Sequence, residues 1–223
     1  MKIKGAIFDM DGTLIDSLSF WDHFWKLIGS RYLQKNDFKA CEEVDKRIRT
    51  MIYTDAMAYI REYYGITEPI EDFLHFTKAT LTDFYKNAAP VKHGAVALLE
   101  HLASLGISLC LASASPIKDV RFNLSVHGLD KYFDTVLSCA DIGVGKDRPD
   151  IYLLALEKMG LGAAEVCVFE DSFIALETAK AAGFQTVGIY DDHNYEQGRL
   201  RCASDFYLEK GRGLDTLIAI CEK

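Results

Sequence analysis

Short apolar runs recur along this chain at positions 3–8, 107–112, 135–139, 166–169 and 186–189, with a weaker one at 205–208. Each is too short for a helix, and none alternates strictly, as expected of strands covered on both faces. Helical patterns separate them. Residues 95–104 place Leu98, Leu99 and Leu102 on one side and stop before Gly106, while 149–159 and 173–182 close at Gly160 and Gly183. Strand alternating with helix predicts an α/β fold with a doubly wound, Rossmann-like parallel sheet. Ligands bind such sheets beyond the carboxyl ends of the strands, and the polar residues of this chain cluster at the ends of its apolar runs.

One stretch breaks the alternation. From about 18 to 86 there is only helical periodicity rich in aromatics, as in Phe20, Phe24 and Leu27 or Met57, Ile60 and Tyr64. This predicts a small helical domain inserted after the first strand. The chain leaves the core near 14–17 and returns near 87–92, where Pro90 and Gly94 mark re-entry. The expected division is 1–16 and 88–223 for the catalytic core and 17–87 for a helical cap.

Among 223 residues, 49% hydrophobic and 26% charged is an ordinary globular composition. The net charge of −8 argues against nucleic acid and anionic membrane as partners, yet allows a local basic pocket for one phosphate. None of the six cysteines forms a Cys-x-x-Cys pair, and Cys110 and Cys167 lie in apolar runs, which reads as buried thiols in a reducing cytosol. The apolar stretch after Lys4 is broken by Asp9 and Asp11 before a signal sequence could form, and no run is long enough to span a bilayer. A cytoplasmic monomer acting on a small molecule is expected.

Four places could carry chemistry. Asp9 and Asp11 follow the first run. In extended chain they would share a face, roughly 6–7 Å apart, and two such carboxylates need a cation or a shared proton. Asp-Gly is also common in turns. Ser113, with Ala114 beside it, ends the second run; a hydroxyl among small neighbours can approach an anion, or can cap the next helix. Lys146 follows Gly143 and Gly145 and could reach a phosphate as a point charge, or lie on the surface. Glu170 and Asp171 end the 166–169 run and offer hard oxygen ligands suited to Mg²⁺; helix capping explains one of these acids but not both.

Taken in order, Asp9-Met10-Asp11-Gly12-Thr13, Ser113, Lys146 and Glu170-Asp171 resemble the four motifs of the haloacid dehalogenase-type superfamily of phosphotransferases, over essentially the whole chain. The insertion resembles the cap of the subgroup containing β-phosphoglucomutases and sugar phosphatases. The resemblance implies that Asp9 attacks phosphorus and that Asp11 is the general acid and base, with Thr13 positioning it. It implies that Asp9, the Asp11 carbonyl and Asp171 bind Mg²⁺, with Glu170 as a ligand or just behind one. Ser113 and the Ala114 N–H would hold phosphate oxygens, and Lys146 would neutralise Asp9 and the phosphoryl group. Such a site must supply on the order of 20 kcal/mol, more than any single residue provides. Asp147 stands where relatives often carry Pro, and Ala175 where Gly is frequent; both bear on local backbone shape.

Within the superfamily, Asp11 argues against dehalogenation. The cap lysines Lys26, Lys35, Lys39, Lys46 and Lys78 read as solvated faces rather than a Schiff-base site. Mutases commonly carry a His where this chain has Trp21, with His23 nearby. Asp16-Ser17 and the Ser113-Ala114-Ser115-Pro116 run look more like sugar- or polyol-phosphate phosphatases. The expected activity is therefore Mg²⁺-dependent hydrolysis of small phosphate monoesters. A β-phosphoglucomutase-type mutase is the alternative, and a phosphoacceptor signalling module or a catalytically dead binding protein is more remote. His23, Trp25 or Tyr53 of the cap are expected to face the leaving group as the cap closes. Asp191-Asp192-His193, though metal-like in composition, is expected to be a solvated loop.

Overall fold

The apolar runs become six parallel strands of one sheet: β1 (Gly5–Phe8), β2 (Ser108–Ser113), β3 (Thr135–Ser138), β4 (Val166–Glu170), β5 (Gln185–Ile189) and β6 (Phe206–Leu208). The computed structural model describes residues 2–49, 51 and 53–221. The chain divides into two units, Met1–Leu18 with Pro90–Lys223 and Ser19–Ala89.

The first unit holds the sheet, in the order β3-β2-β1-β4-β5-β6. From β1 the chain builds outward through β2 and β3, then crosses back to β4 and builds the other way. Strand order therefore reverses between β1 and β4, which opens a crevice at their carboxyl ends. Register there is set by Phe8 opposite Phe169 and Phe8 opposite Leu111. The Phe8 and Phe169 rings stack with centroids 4.3 Å apart. Ile7 and Val168 face the other way, into a buried cluster with Ile151, Tyr152, Leu176 and Ala179. Alternation along two neighbouring strands thus fills both faces of the sheet.

Ten α-helices are present among the described residues. Those of the insertion are α1 (Phe20–Ile28), α2 (Glu42–Ile48), α3 (Tyr53–Tyr63) and α4 (Ile70–Asn87). Those of the sheet unit are α5 (Ala95–Ser104), α6 (Ile117–Val126), α7 (Cys139–Ile142), α8 (Asp150–Met159), α9 (Phe173–Ala181) and α10 (Gln197–Ala203). Gly160 ends α8 with φ 67°, and its N–H returns to the Leu156 carbonyl at 2.8 Å. Cys139, expected to finish a strand, instead begins α7, because the Gly143 N–H closes a helical turn onto its carbonyl at 2.9 Å. The periodicity did not announce α6, which buries only Val120, Asn123 and Leu124.

The helical unit begins and ends two residues later than 17–87. Ser17 is retained by the sheet unit through its side chain, which bonds to Asp11. The two connecting segments pair with each other, the Asp16 N–H to the Pro90 carbonyl at 2.9 Å and the Lys92 N–H to the Leu14 carbonyl at 2.8 Å.

The Ser19–Ala89 unit has its own aromatic core. Phe20, Phe24 and Phe84 pack edge-on or tilted, and Trp25 meets both Phe38 and Tyr64. Trp25 is 3% exposed and its Nε1 donates to Asp45 Oδ1 at 2.6 Å. It is therefore a structural residue of this unit, with its one polar atom already used, and not a free contact for a leaving group. The Tyr53 hydroxyl donates to Thr77 Oγ1 at 2.9 Å, whereas His23 is exposed. Among the described residues no helix is long and apolar enough to cross a membrane. All six cysteines are free thiols, and burial pushes the Cys110 thiol up to about 12.

Candidate active site

Asp9 leaves β1 at the reversal of strand order, its N–H still donating to the Phe169 carbonyl at 3.0 Å. That register brings it beside Glu170, the last residue of β4, and Asp171, the next. Asp9, Glu170 and Asp171 are all buried, and each offers an oxygen within 4.8 Å of the others. Helix capping does not account for the acids, since Ser172 holds the N-cap position of α9 and makes no side-chain bond there.

Lys146 enters from the loop between α7 and α8, and only 9% of its side chain is exposed. Its Nζ lies 2.5 Å from Asp9 Oδ1 and 3.3 Å from each Glu170 oxygen. A solvated surface position is therefore excluded. Burial alone would lower its pKa, but Asp9 and then Glu170 reverse that and hold the ammonium well above the usual lysine value.

One ammonium faces three carboxylates. Burial, followed by the charge of Asp9, drives Glu170 well above the ordinary carboxylate range, against the pull of Lys146. Burial and then Asp9 push Asp171 up to about 7, with Lys92 opposing. Three buried hard-oxygen donors, of which Glu170 and Asp171 are pushed up by burial, suit a divalent cation such as Mg²⁺, which would relieve that cost. Asp9, Glu170 and Asp171 thus fit such an ion.

The Asp11 carboxylate goes elsewhere. Gly12, at φ 84°, turns the chain, and the Gly12 N–H bonds the Ile15 carbonyl at 2.9 Å. Asp11 Oδ1 accepts from Ser17 Oγ at 2.7 Å, and Oδ2 accepts from Ser115 Oγ at 3.3 Å. So a hydroxyl holds each oxygen of the second carboxylate of the first motif. Thr13, expected to position Asp11, donates instead to Asp171 Oδ1 at 3.1 Å. The tight turn carries its fully buried side chain toward β4, and Ser17 takes the place beside Asp11.

Ser113 closes β2, on the other side of β1 from the acids, and is buried. Its Oγ accepts from the Ser115 N–H at 3.1 Å, and the Ser115 carbonyl accepts from Ser138 Oγ at 2.8 Å. Ala114 between them is exposed. Pro116 holds the N-cap position of α6, so Ser113 does not cap that helix.

Asn194 and Lys92 of this edge had no sequence signal. Asn194 Nδ2 donates to Asp171, at 2.8 Å to Oδ2 and 2.6 Å to the carbonyl. Asp191, expected in a solvated loop, is 4% exposed and pairs with Lys92 Nζ at 2.7 Å. Asp192 is the exposed member of that run, bonded to Lys210 and to the Tyr190 hydroxyl. A buried carboxylate needs a cation, and this one comes from 99 positions earlier in the chain.

Comparison with known proteins shows the family. The family profile for haloacid dehalogenase-like hydrolases matches residues 3–183. A phosphorylated carbohydrates phosphatase of Thermotoga maritima is 28% identical over 185 residues, covering 83% of this chain and 84% of that protein. Hexitol phosphatase A of Escherichia coli is 29% identical over 194 residues, covering 85% and 84%. Among solved structures, a putative β-phosphoglucomutase from Thermotoga maritima superposes with a TM-score of 0.81 at 25% identity, over 98% of each chain. A parallel sheet with this strand order, an interposed helical unit after β1 and a match running from β1 to the end of α9 lead to one conclusion: the chain belongs to the haloacid dehalogenase-like hydrolase family.

Proposed function

We propose that the chain is a Mg²⁺-dependent phosphatase of small phosphate monoesters, with Asp9 as nucleophile and Asp11 as general acid and base. The observation that carries this reading is the division of labour between the two aspartates. Asp9 lies in the charged cluster with Lys146, Glu170 and Asp171, whereas the two oxygens of the Asp11 carboxylate are held by the hydroxyls of Ser17 and Ser115.

In the first step an Asp9 oxygen forms a bond to phosphorus as the bond from phosphorus to the ester oxygen breaks. The Asp11 carboxyl gives its proton to that departing oxygen, so the alcohol leaves neutral. In the second, the Asp11 carboxylate takes a proton from water, whose oxygen attacks phosphorus and releases Asp9 and inorganic phosphate. Lys146 holds positive charge against the nucleophile throughout, and Ser113 with the Ala114 N–H would bind phosphoryl oxygens. Asp9, Glu170 and Asp171 would hold Mg²⁺, with the Asp11 carbonyl as a further ligand. A bound Mg²⁺ supplies charge neutralisation between the anionic nucleophile and the phosphate ester.

The phosphorylated carbohydrates phosphatase and the hexitol phosphatase among the relatives support sugar or polyol phosphates as the substrate class. A phosphosugar mutase is the second reading, favoured by the likeness to the putative β-phosphoglucomutase and opposed by Trp21 at the mutase histidine position. The test is p-nitrophenyl phosphate turnover with and without Mg²⁺, beside Asp9→Asn, followed by a panel of sugar and polyol phosphates and a glucose 1-phosphate mutase assay. Mg²⁺-dependent release of phosphate that Asp9→Asn abolishes is expected. No turnover above that variant on any ester would overturn the proposal.

A further inference from the structure

The Asp171 carboxylate is gripped on both oxygens, from two distant parts of the chain. Thr13 Oγ1 donates to Oδ1 at 3.1 Å, and Asn194 Nδ2 donates to Oδ2 at 2.8 Å. The same Asn194 nitrogen reaches the Asp171 backbone carbonyl at 2.6 Å. One amide group thus bridges the main chain and the side chain of a single residue, which limits rotation of that carboxylate about its first side-chain bond. The other end of the amide is committed as well, because Asn194 Oδ1 accepts from the Tyr195 N–H at 2.9 Å. With the oxygen facing a donor and the nitrogen facing two acceptors, the amide has one consistent orientation.

The loop that presents Asn194 is built rather than loose. Asp191 Oδ1 accepts from the His193 N–H at 2.8 Å and its Oδ2 takes Lys92 Nζ at 2.7 Å. Lys92 also donates to the Tyr190 carbonyl at 3.3 Å. Gln197 Nε2 donates to the Asp191 carbonyl at 3.0 Å, and Gln197 Oε1 accepts from the Tyr207 hydroxyl at 2.7 Å. A buried ion pair and a side-chain amide therefore fix the segment after β5, and that segment delivers a donor to a residue of the acidic cluster.

We infer that Asn194 is a positioning residue: it holds Asp171 in the orientation in which its carboxylate serves a divalent cation, and the Lys92–Asp191 pair holds Asn194 in place. The inference rests on the metal-dependent reading above. Donors that orient a ligating carboxylate typically contribute about 10- to 100-fold in metal affinity. Such a role differs from simple loop stabilisation, because it predicts a change in metal binding from a side chain that is not itself a ligand.

The test is Mg²⁺ binding to the substrate-free protein by titration calorimetry, for wild type, Asn194→Ala and Asn194→Leu. The leucine variant is close in volume and lacks the donor, so it serves where the alanine variant fails to fold; circular dichroism checks both. The expected result is a Kd for Mg²⁺ raised about 10- to 100-fold. In p-nitrophenyl phosphate turnover, the Mg²⁺ concentration for half-maximal rate should rise in parallel, while kcat at saturating Mg²⁺ stays near wild type. A Kd within about twofold of wild type in a folded variant would overturn the inference alone. A lower kcat with an unshifted Mg²⁺ requirement would do the same, marking Asn194 as structural. Wild-type protein that binds no Mg²⁺ would overturn both this inference and the metal-dependent function.

Discussion

Replacing Asp171 by Asn should flatten the pH dependence of stability in the metal-free protein. Asp171 is buried, and its carboxyl is pushed from 3.8 to about 7 by burial first and by Asp9 second. Between those two values the native state keeps a proton that the unfolded chain releases. The native state then binds more protons than the unfolded one, so stability is fully present below about pH 4 and is lost as pH rises through 7. A shift from 3.8 to about 7 corresponds to about 4 kcal/mol at neutral pH. Asn keeps the shape and cannot ionise. It places an amide where Thr13 and Asn194 both donate, which costs about 1 kcal/mol independent of pH. The assay is urea unfolding of both proteins in chelator at several pH values between 4.5 and 7.5. The two proteins should be close in stability at the acidic end, and the difference should swing toward the variant by about 3 kcal/mol on reaching neutrality. Relief of Glu170, whose carboxyl Asp171 also pushes up, adds in the same direction. Mg²⁺ should then stabilise wild type by about 2.7 kcal/mol at 100 times its Kd, and the variant much less. Parallel stability curves for the two proteins across this range would refute the reasoning, because Asp171 would then be ionising at no cost.

Other consequences can be checked alongside. Asp11→Asn should lower kcat by about 10²- to 10⁴-fold, as loss of a general acid and base does. Because the Asp11 carboxylate lies with Ser17 and Ser115, its Mg²⁺ affinity by calorimetry should stay close to wild type; a large loss would assign that carboxylate to the metal. Gly12→Ala should weaken Mg²⁺ binding and activity together, since a Cβ there would collide with Asp171 Oδ2 on a backbone at φ 84°; a variant with unaltered Mg²⁺ titration would count against Asp171 as a ligand. Trp25→Phe should cost about 1–3 kcal/mol in thermal unfolding by taking a donor from the buried Asp45, with kcat/KM unchanged. A shift in relative kcat/KM across a sugar phosphate panel would restore Trp25 as a substrate contact.

Much of this molecule is local in origin and so was legible without coordinates. Strand and helix follow from the spacing of apolar side chains, which is why all six strands lie where the short runs occur and why α5, α8 and α9 end near their glycines. A parallel sheet with its polar residues at the carboxyl ends follows from that alternation, and Asp9, Lys146, Glu170 and Asp171 converge because β1 and β4 are neighbours. What the chain could not declare locally was partnership. Thr13 turned to Asp171 instead of Asp11, and Ser17 and Ser115 took up the second aspartate. Asp191 found Lys92, and Asn194 found Asp171 from 23 residues away. Trp25 spent its indole N–H on Asp45 inside the helical unit. Each of these is a buried polar group whose cost must be met by a donor or a charge. The residue type alone determined that a partner was required; only the tertiary structure, by deciding which loops meet at the edge of the sheet, decided which partner it was.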